Sequence, residues 1–405
     1  MNETPARPIP RGSARGVFLA FLRLGVTSFG GPVAHLGYFR AEFVERRRWL
    51  TDREYAELVT LCQFLPGPAS SQVGFGIGLH RAGFRGALAA FAAFTAPSAA
   101  LMVAFAYGAS WFGGAVGAGV LTGLKIVAVA IVAQAVWGMG RTLAPDRQRA
   151  AIAVLAAVAA LLFAGSPGQI GAIVLGGLAG VIFCRGGDPQ AGIALRFPVR
   201  RRTGVICLAV FAALLLGGPL LAWGTGSGAL TLFDAFFRAG AFVFGGGHVV
   251  LPLLQAGVVD PGWVSDQQFL AGYGAAQAVP GPLFTFAAYL GTLAGVGPGG
   301  VLGAVVALLG IFLPGFLLLT GVLPFWGAVQ RRSWAQAMMR GANASVLGIL
   351  TAALYTPVFT SAVTGPASFG LALLCFVLLV SWKLPPWTVV LVGAAGGVLS
   401  GCLAG

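Results

Sequence analysis

The chain has 405 residues, of which 58% are hydrophobic and only 9% charged, with a mean hydropathy of +0.89 and a formal net charge of +14. So little charge cannot cover a soluble domain of this size, and the apolar stretches lack the alternation of a membrane barrel, which leaves an all-α polytopic membrane protein. The positive balance does not point to nucleic acid, because the arginines sit in short loops between apolar segments, where they hold loops in the cytoplasm and face anionic headgroups.

In chain order, a polar and basic stretch from Met1 to Arg15 precedes the first apolar run and reads as a retained, cytoplasmic N-terminus. Apolar segments follow at roughly 16–39, 55–80, 86–111, 115–140, 148–164 and 168–184. A charged stretch from Arg185 to Arg202 closes this set, and a single segment at 204–223 joins it to a second set at 231–255, 268–293, 299–326, 334–356, 366–382 and 386–404. The expected organisation is a first repeat over 1–190, a linker with a joining helix over 191–228, and a second repeat over 229–405. Cys62, Cys184, Cys207, Cys375 and Cys402 are scattered without metal or disulfide spacing and read as small packed hydrophobes.

The second set repeats the first. Phe21, Arg23, Gly25, Phe29, Gly30, Gly31, Trp49, Asp52, Gln63, Pro66, Gly67, Pro68 and Pro97 recur in order as Phe236, Arg238, Gly240, Phe244, Gly245, Gly246, Trp263, Asp266, Gln277, Pro280, Gly281, Pro282 and Pro314. A repeat in so apolar a chain points to a transporter built from two related halves with its site where they meet.

Loop charge predicts how the halves cross. If every segment spanned, the basic loops 1–15 and 40–53 would fall on opposite sides, against the positive-inside tendency. If the two segments broken by glycine and proline are hairpins, those loops and the basic loop 80–85 share one side, and the joining segment carries the chain outward so that the second half is inverted. Its loop 256–267 then faces the other side with Asp260 and Asp266 and no lysine or arginine. Deeply broken spans remain the alternative to re-entrant hairpins.

Unwound backbone is tolerated at membrane depth only where it lines a cavity or packs in protein. Gly30, Gly31 and Pro32, Pro66 to Pro68, Gly245 to Gly247, and Pro280 to Pro282 each break a helix and expose amide groups suited to an anion. Arg23 and Arg238 occupy equivalent places ahead of the breaks. Both either snorkel to the interface or make an electropositive pocket for a doubly charged oxyanion. Lys125, equivalent to Asn343, is a third cationic candidate. Ser28, Ser70, Ser71, Gln63, Gln72, Gln277 and Thr285 offer hydrogen bonds, each with helix packing as the plainer reading. The acids, Asp234 among them, fall in loops and at segment ends, so the expected proton carriers are His35 and His248 just past the breaks and Glu57 at the start of the second hairpin.

The run Phe29, Gly30, Gly31, Pro32, His35 and Gly37, with Arg46, Trp49, Glu54, Tyr55, Gln63, Pro66, Gly67, Pro68 and Ser70, resembles the chromate ion transporter family. Phe244 to His248 and Pro280 to Pro282 extend the likeness over the second half, in the two-domain form of that family. The resemblance implies export of chromate from the bacterial cytoplasm across the inner membrane by a multi-pass secondary transporter driven by the proton motive force. It implies no cofactor and no enzymatic step. Sulfate, also a tetrahedral dianion, stays open as cargo, as does a homodimer as the assembled form. The second half departs from the pattern at Val243 and Gly247, where the first has Ser28 and Pro32. Alternating access is expected from the halves rocking about the site. A passive anion channel is the second reading. A membrane-embedded enzyme acting on a lipid phosphate is the third, and it would need a nucleophile or base that the breaks lack.

Overall fold

The computed structural model describes residues 12–108, 114–163, 165–185, 197–244, 249–329 and 332–404, and every regular element among them is helical. In the first half α1 (Ala14–Thr27) starts on the Ser13 side chain, which accepts from the Gly16 amide at 3.1 Å. It stops at Ser28, and Gly30 (φ +102°) and Gly31 (φ +79°) then turn the chain into α2 (Gly31–Phe39), with Pro32 fixing its first turn. A capping box between Thr51 and Glu54 opens α3 (Asp52–Phe64), which ends ahead of Gly67 (φ +120°). Then α4 (Ala69–Gly108) is broken at Ala82 and Gly83 into a short arm and a long rod. The half closes with α5 (Gly114–Leu143), α6 (Arg147–Leu162) and α7 (Ser166–Phe183).

Three contacts fix the path of the interrupted segments. The Gly12 amide donates to the Arg81 carbonyl at 3.0 Å, and the Arg81 guanidinium lies 5.2 Å from the centre of the Trp49 ring. The His80 ring stands 5.7 Å from Phe197, just before the joining helix. The start of α1, the turn between α2 and α3, the end of the short arm and the lead-in to the joining helix therefore share one face. Both interrupted segments enter and leave by that face as hairpins. α3, with 13 residues, is about 20 Å long, too short to cross a hydrocarbon core of about 30 Å.

The joining helix α8 (Arg201–Thr225) has 25 residues, about 37 Å, enough to cross. At its far end the same closure is made again. α9 (Gly228–Ala241) begins so close to Gly297 that a Cβ on Gly228 would sit 2.7 Å from its amide nitrogen, and the Gly295 amide donates to the Trp263 carbonyl at 3.0 Å. The elements between are α10 (Val250–Leu254) with a π-turn (Gln255–Val259), α11 (Asp266–Ala276), a 3-10 turn (Leu283–Thr285) and α12 (Phe286–Leu293). The rod α13 (Gly300–Val322) is the counterpart of the long arm of α4, and Pro314 stands within it where Pro97 stands in α4. The chain ends with α14 (Trp326–Val329), α15 (Ser333–Ala353), α16 (Thr360–Ala362), α17 (Pro366–Val380) and α18 (Pro386–Ala404). One crossing helix between two copies of one closure inverts the second half relative to the first. Cysteines placed at positions 45 and 262 in a background without native cysteines are expected to react with impermeant reagents from opposite faces; reaction from one face alone would end the inverted arrangement.

The halves are interlocked rather than side by side. α5 of the first half packs on α17 and α18 of the second, while α15 packs on α6 and α7. Glycines set both crossings: a Cβ on Gly123 would lie 2.1 Å from the Gly393 carbonyl oxygen, and one on Gly341 would lie 2.0 Å from that of Gly176. The hairpins and rods of both halves (α1–α4 and α9–α13) form one body, and α5–α7 with α15–α18 form a frame. This corrects the expectation that the halves rock as units, because each body takes helices from both.

Candidate functional site

The breaks meet at the centre of the hairpin body. The Gly281 amide donates to the Ser28 carbonyl at 2.9 Å, and the Gly67 amide donates to the Val243 carbonyl at 2.7 Å. Gly67 and Gly281 are equivalents in the repeat, as are Ser28 and Val243, so one bond is made twice, each time from one half to the other. Both glycines are locked in place. A Cβ on Gly281 (φ +96°) would lie 2.8 Å from Ser98 Oγ, and one on Gly67 (φ +120°) would lie 2.9 Å from Gly315 Cα. Gly315 and Ser98 each follow the proline inside a rod, where the missing amide leaves a carbonyl one turn earlier without its helical donor. The Gln72 amide group bridges the halves beside that proline, with Nε2 donating to Pro66 O of its own half at 3.0 Å and to Gly315 O of the other at 2.9 Å.

His35 ties the two breaks of the first half together. Its side chain is wholly buried, edge-on to Phe94 at 5.3 Å, with Nε2 3.2 Å from Ser28 O and Nδ1 3.5 Å from Ser70 Oγ. A carbonyl only accepts, so Nε2 carries the proton in that contact and Nδ1 faces the Ser70 hydroxyl. The Ser28 carbonyl thus accepts from His35 of its own half and from Gly281 of the other.

The site is more polar on the first-half side. Ser28, His35, Ser70, Gln72 and Ser98 of the first half correspond to Val243, Val250, Phe284, Phe286 and Gly315 of the second. Ser28 Oγ, Ser71 Oγ and Gln277 Nε2 are buried and lack a hydrogen-bond partner. An unsatisfied buried polar atom costs on the order of 1–3 kcal/mol, so three at one junction mark a place built for a ligand or water. α2 begins without a side-chain cap.

The other predicted residues spread around this junction. Pro66, Pro68, Pro280 and Pro282 frame the breaks, with Pro68 and Pro282 buried. Phe29 leans on Trp387 at 6.3 Å, Phe244 is half-buried, Gly30 and Gln63 are exposed, and Glu57 is buried on α3. Lys125 and Asn343 lie half-buried two residues past the glycine crossings of the frame. The α11 helix touches the frame there: a Cβ on Gly274 would lie 2.4 Å from the Leu124 carbonyl oxygen, three residues ahead of Gln277. Gly245, Gly246 and His248 lie outside the described residues.

The paired electropositive pocket needs correction. Arg23 lies on an exposed strip of α1 with Leu19, Val26 and Thr27 that runs to Gly30, whereas Arg238 donates through Nε to Asp234 Oδ2 at 3.0 Å. The two arginines sit on helices packed against different rods, and one is already neutralised. Asp234 itself lies mid-helix on α9 rather than at a segment end. Sequence reading passed over Asp234 and Ser98; the four-residue spacing of Asp234 and Arg238 on one helical face was the available signal for the first.

A match to a known family covers both halves. The family model described as "Chromate transporter" matches residues 15–181 and 230–398. The chain belongs to the chromate transporter family. This member is 27% identical over 97% of its length to a chromate transport protein of Pseudomonas aeruginosa, covering 93% of that protein. It is 29% identical to a probable chromate transport protein of Synechococcus elongatus, over 94% of this chain and 93% of the relative. A chromate transport protein of Cupriavidus metallidurans is likewise 29% identical, over 95% of this chain and 92% of its own. No solved structure matches the transporter. The matched boundaries coincide with the two hairpin-and-frame sets and leave α8 between them.

Proposed function

We propose that this transporter exports chromate from the bacterial cytoplasm by secondary transport driven by the proton motive force, with sulfate as a related dianion that the same site would admit. The observation that carries the reading is the junction of Ser28, Gly67, Val243 and Gly281, where two inverted hairpins meet beside unpaired buried donors. Ser28, Ser70, Ser71 and Gln277, with the amides that open α2, supply hydrogen bonds to oxyanion oxygens, and Arg23 stands on the approach to Gly30. Lys125 and Asn343 present polar groups from the frame. His35 is placed to report a proton to both breaks of the first half, and Glu57 supplies a second titratable group on the adjoining hairpin. Arg81, Arg200 to Arg202 and the arginines from Arg40 to Arg53 gather on the first face, which supports a cytoplasmic N-terminus in the inner membrane. Alternating access on this reading moves the hairpin body against the frame.

Uptake of labelled chromate and labelled sulfate into inverted membrane vesicles tests it. Chromate is expected to accumulate with saturation when a proton motive force is imposed across the vesicle membrane, and to lose that accumulation when it is collapsed. Flux that neither saturates nor responds to the gradient would identify a passive channel instead.

A further inference from the structure

Asp234 and Arg238 form an ion pair with both partners inside an α-helix. They line a cavity of about 340 Å³ together with Thr231, Trp263, Pro219 and Ile170. Every other element that packs on this stretch of α9, or lines the cavity, is free of facing charge. α7, α10, α13 and the π-turn Gln255–Val259 contain no acid or base, and α8 has only Arg201 and Arg202 in its first turn, about 25 Å from Gly218. Asp260 follows the π-turn but lines a separate cavity with Gln169 and Gln255. Among the described residues each member of the pair is therefore the other's sole charged partner.

The pair is incompletely satisfied on both sides. Asp234 Oδ1 is buried without a hydrogen-bond partner, against Gly218, where a Cβ would come within 2.5 Å of it. Arg238 uses only Nε among the described residues, leaving both Nη groups for a second acceptor. In the first half Leu19 stands where Asp234 stands, and Arg23 is exposed, so the duplicated fold does not need the acid. A buried ion pair rarely stabilises more than apolar packing of the same volume, and an ionisable pair in a membrane helix marks function.

We infer that Asp234 and Arg238 are an exchange pair. A proton taken up by Asp234 releases Arg238 to a dianionic oxyanion entering the cavity, and departure of the anion returns Arg238 to the carboxylate as the proton leaves. The charges favour this order. The ionised pair is neutral, so a dianion added to it leaves −2 in a poorly solvated cavity, while the same anion added to the protonated pair leaves −1. The free Nη fork matches two oxygens of a tetrahedral dianion. Val243, five residues beyond Arg238, holds the Gly67 amide, so a shift of α9 reaches the junction directly. The inference rests on the oxyanion reading and adds to it a proton site in the second half, where one proton and one dianion move together as a net −1 that the membrane-potential part of the proton motive force drives outward.

Equilibrium binding of labelled chromate to the full-length protein in lipid nanodiscs at pH 6 and pH 8 decides it. Wild type is expected to bind at least tenfold more tightly at pH 6. Asp234→Asn, which mimics the protonated acid, is expected to bind tightly at both values, and Arg238→Ala weakly at both. The Asn variant also controls for titration of the anion itself, and Asp234→Leu, which copies Leu19 of the first half, replaces it should it fold poorly. Binding by wild type with the same pH dependence in Asp234→Asn would overturn the exchange pair alone. No binding by wild type at either pH would remove the oxyanion reading and the pair with it.

Discussion

Alanine at Gly67 or Gly281 is expected to slow transport severely while leaving a protein that inserts and assembles. Both residues hold φ values, +120° and +96°, that an L side chain adopts only under strain on the order of 1–3 kcal/mol. Each also faces a neighbour with no room for a methyl group. The two cases differ in what can yield. At Gly281 the nearest atom is Ser98 Oγ, 2.8 Å from the new carbon, and a serine side chain can rotate away or be removed. At Gly67 it is Gly315 Cα, 2.9 Å away on the backbone of α13, which cannot. The Ser98→Ala change is therefore expected to restore part of the transport lost in Gly281→Ala, whereas Gly67→Ala has no equivalent rescue and shows the larger loss. Initial rates of chromate uptake in vesicles, with melting temperatures to show that the variants fold, provide the check. Wild-type rates in both single variants would mean that the junction bonds do not take part in transport.

Much of this arrangement was legible in the sequence, for an identifiable reason. Glycine next to proline interrupts a helix whatever surrounds it, so the breaks at 30–32, 66–68 and 280–282 could be placed from local chemistry. Loop charge put Arg46 to Arg48 and Arg81 on one face, and the Gly12, Trp49 and Arg81 contacts show that face to be common to both hairpins. What remained hidden depends on which surfaces meet. Gly123 and Gly341 announce close helix packing, yet nothing local says that their partners, Gly393 and Gly176, belong to the opposite half. The same holds for the junction. Gly67 and Val243 are far apart in the chain, and the bond between them follows only once the hairpins are interlocked. Asp234 was missed for a different reason. Position along an apolar run does not reveal depth, and its pairing with Arg238 turned one half of an expected symmetric anion pocket into a neutral pair.

The uneven polarity of the junction gives the other large expected effect. Ser28 is fully buried, its hydroxyl has no partner, and its counterpart in the second half is Val243, whose backbone accepts the same bond from Gly67 that Ser28 accepts from Gly281. An apolar side chain is therefore compatible with this backbone, and removing a hydroxyl that satisfies nothing relieves a cost instead of creating one. Ser28→Ala is expected to keep or slightly raise the melting temperature. If the hydroxyl serves a doubly charged oxyanion, its loss forfeits about 1.5–3 kcal/mol of charge-assisted bonding, which is a fall of roughly 10- to 150-fold in apparent chromate affinity. The reciprocal change, Val243→Ser, adds a hydroxyl on the less polar side and is expected to leave affinity unchanged, because the counterparts of His35, Ser70 and Gln72 in that half are the apolar Val250, Phe284 and Phe286. Stability and function would then move in opposite directions at one residue and not at its symmetric equivalent, which no purely structural role for Ser28 produces. Equal affinities in wild type and Ser28→Ala would place the bound anion away from this break.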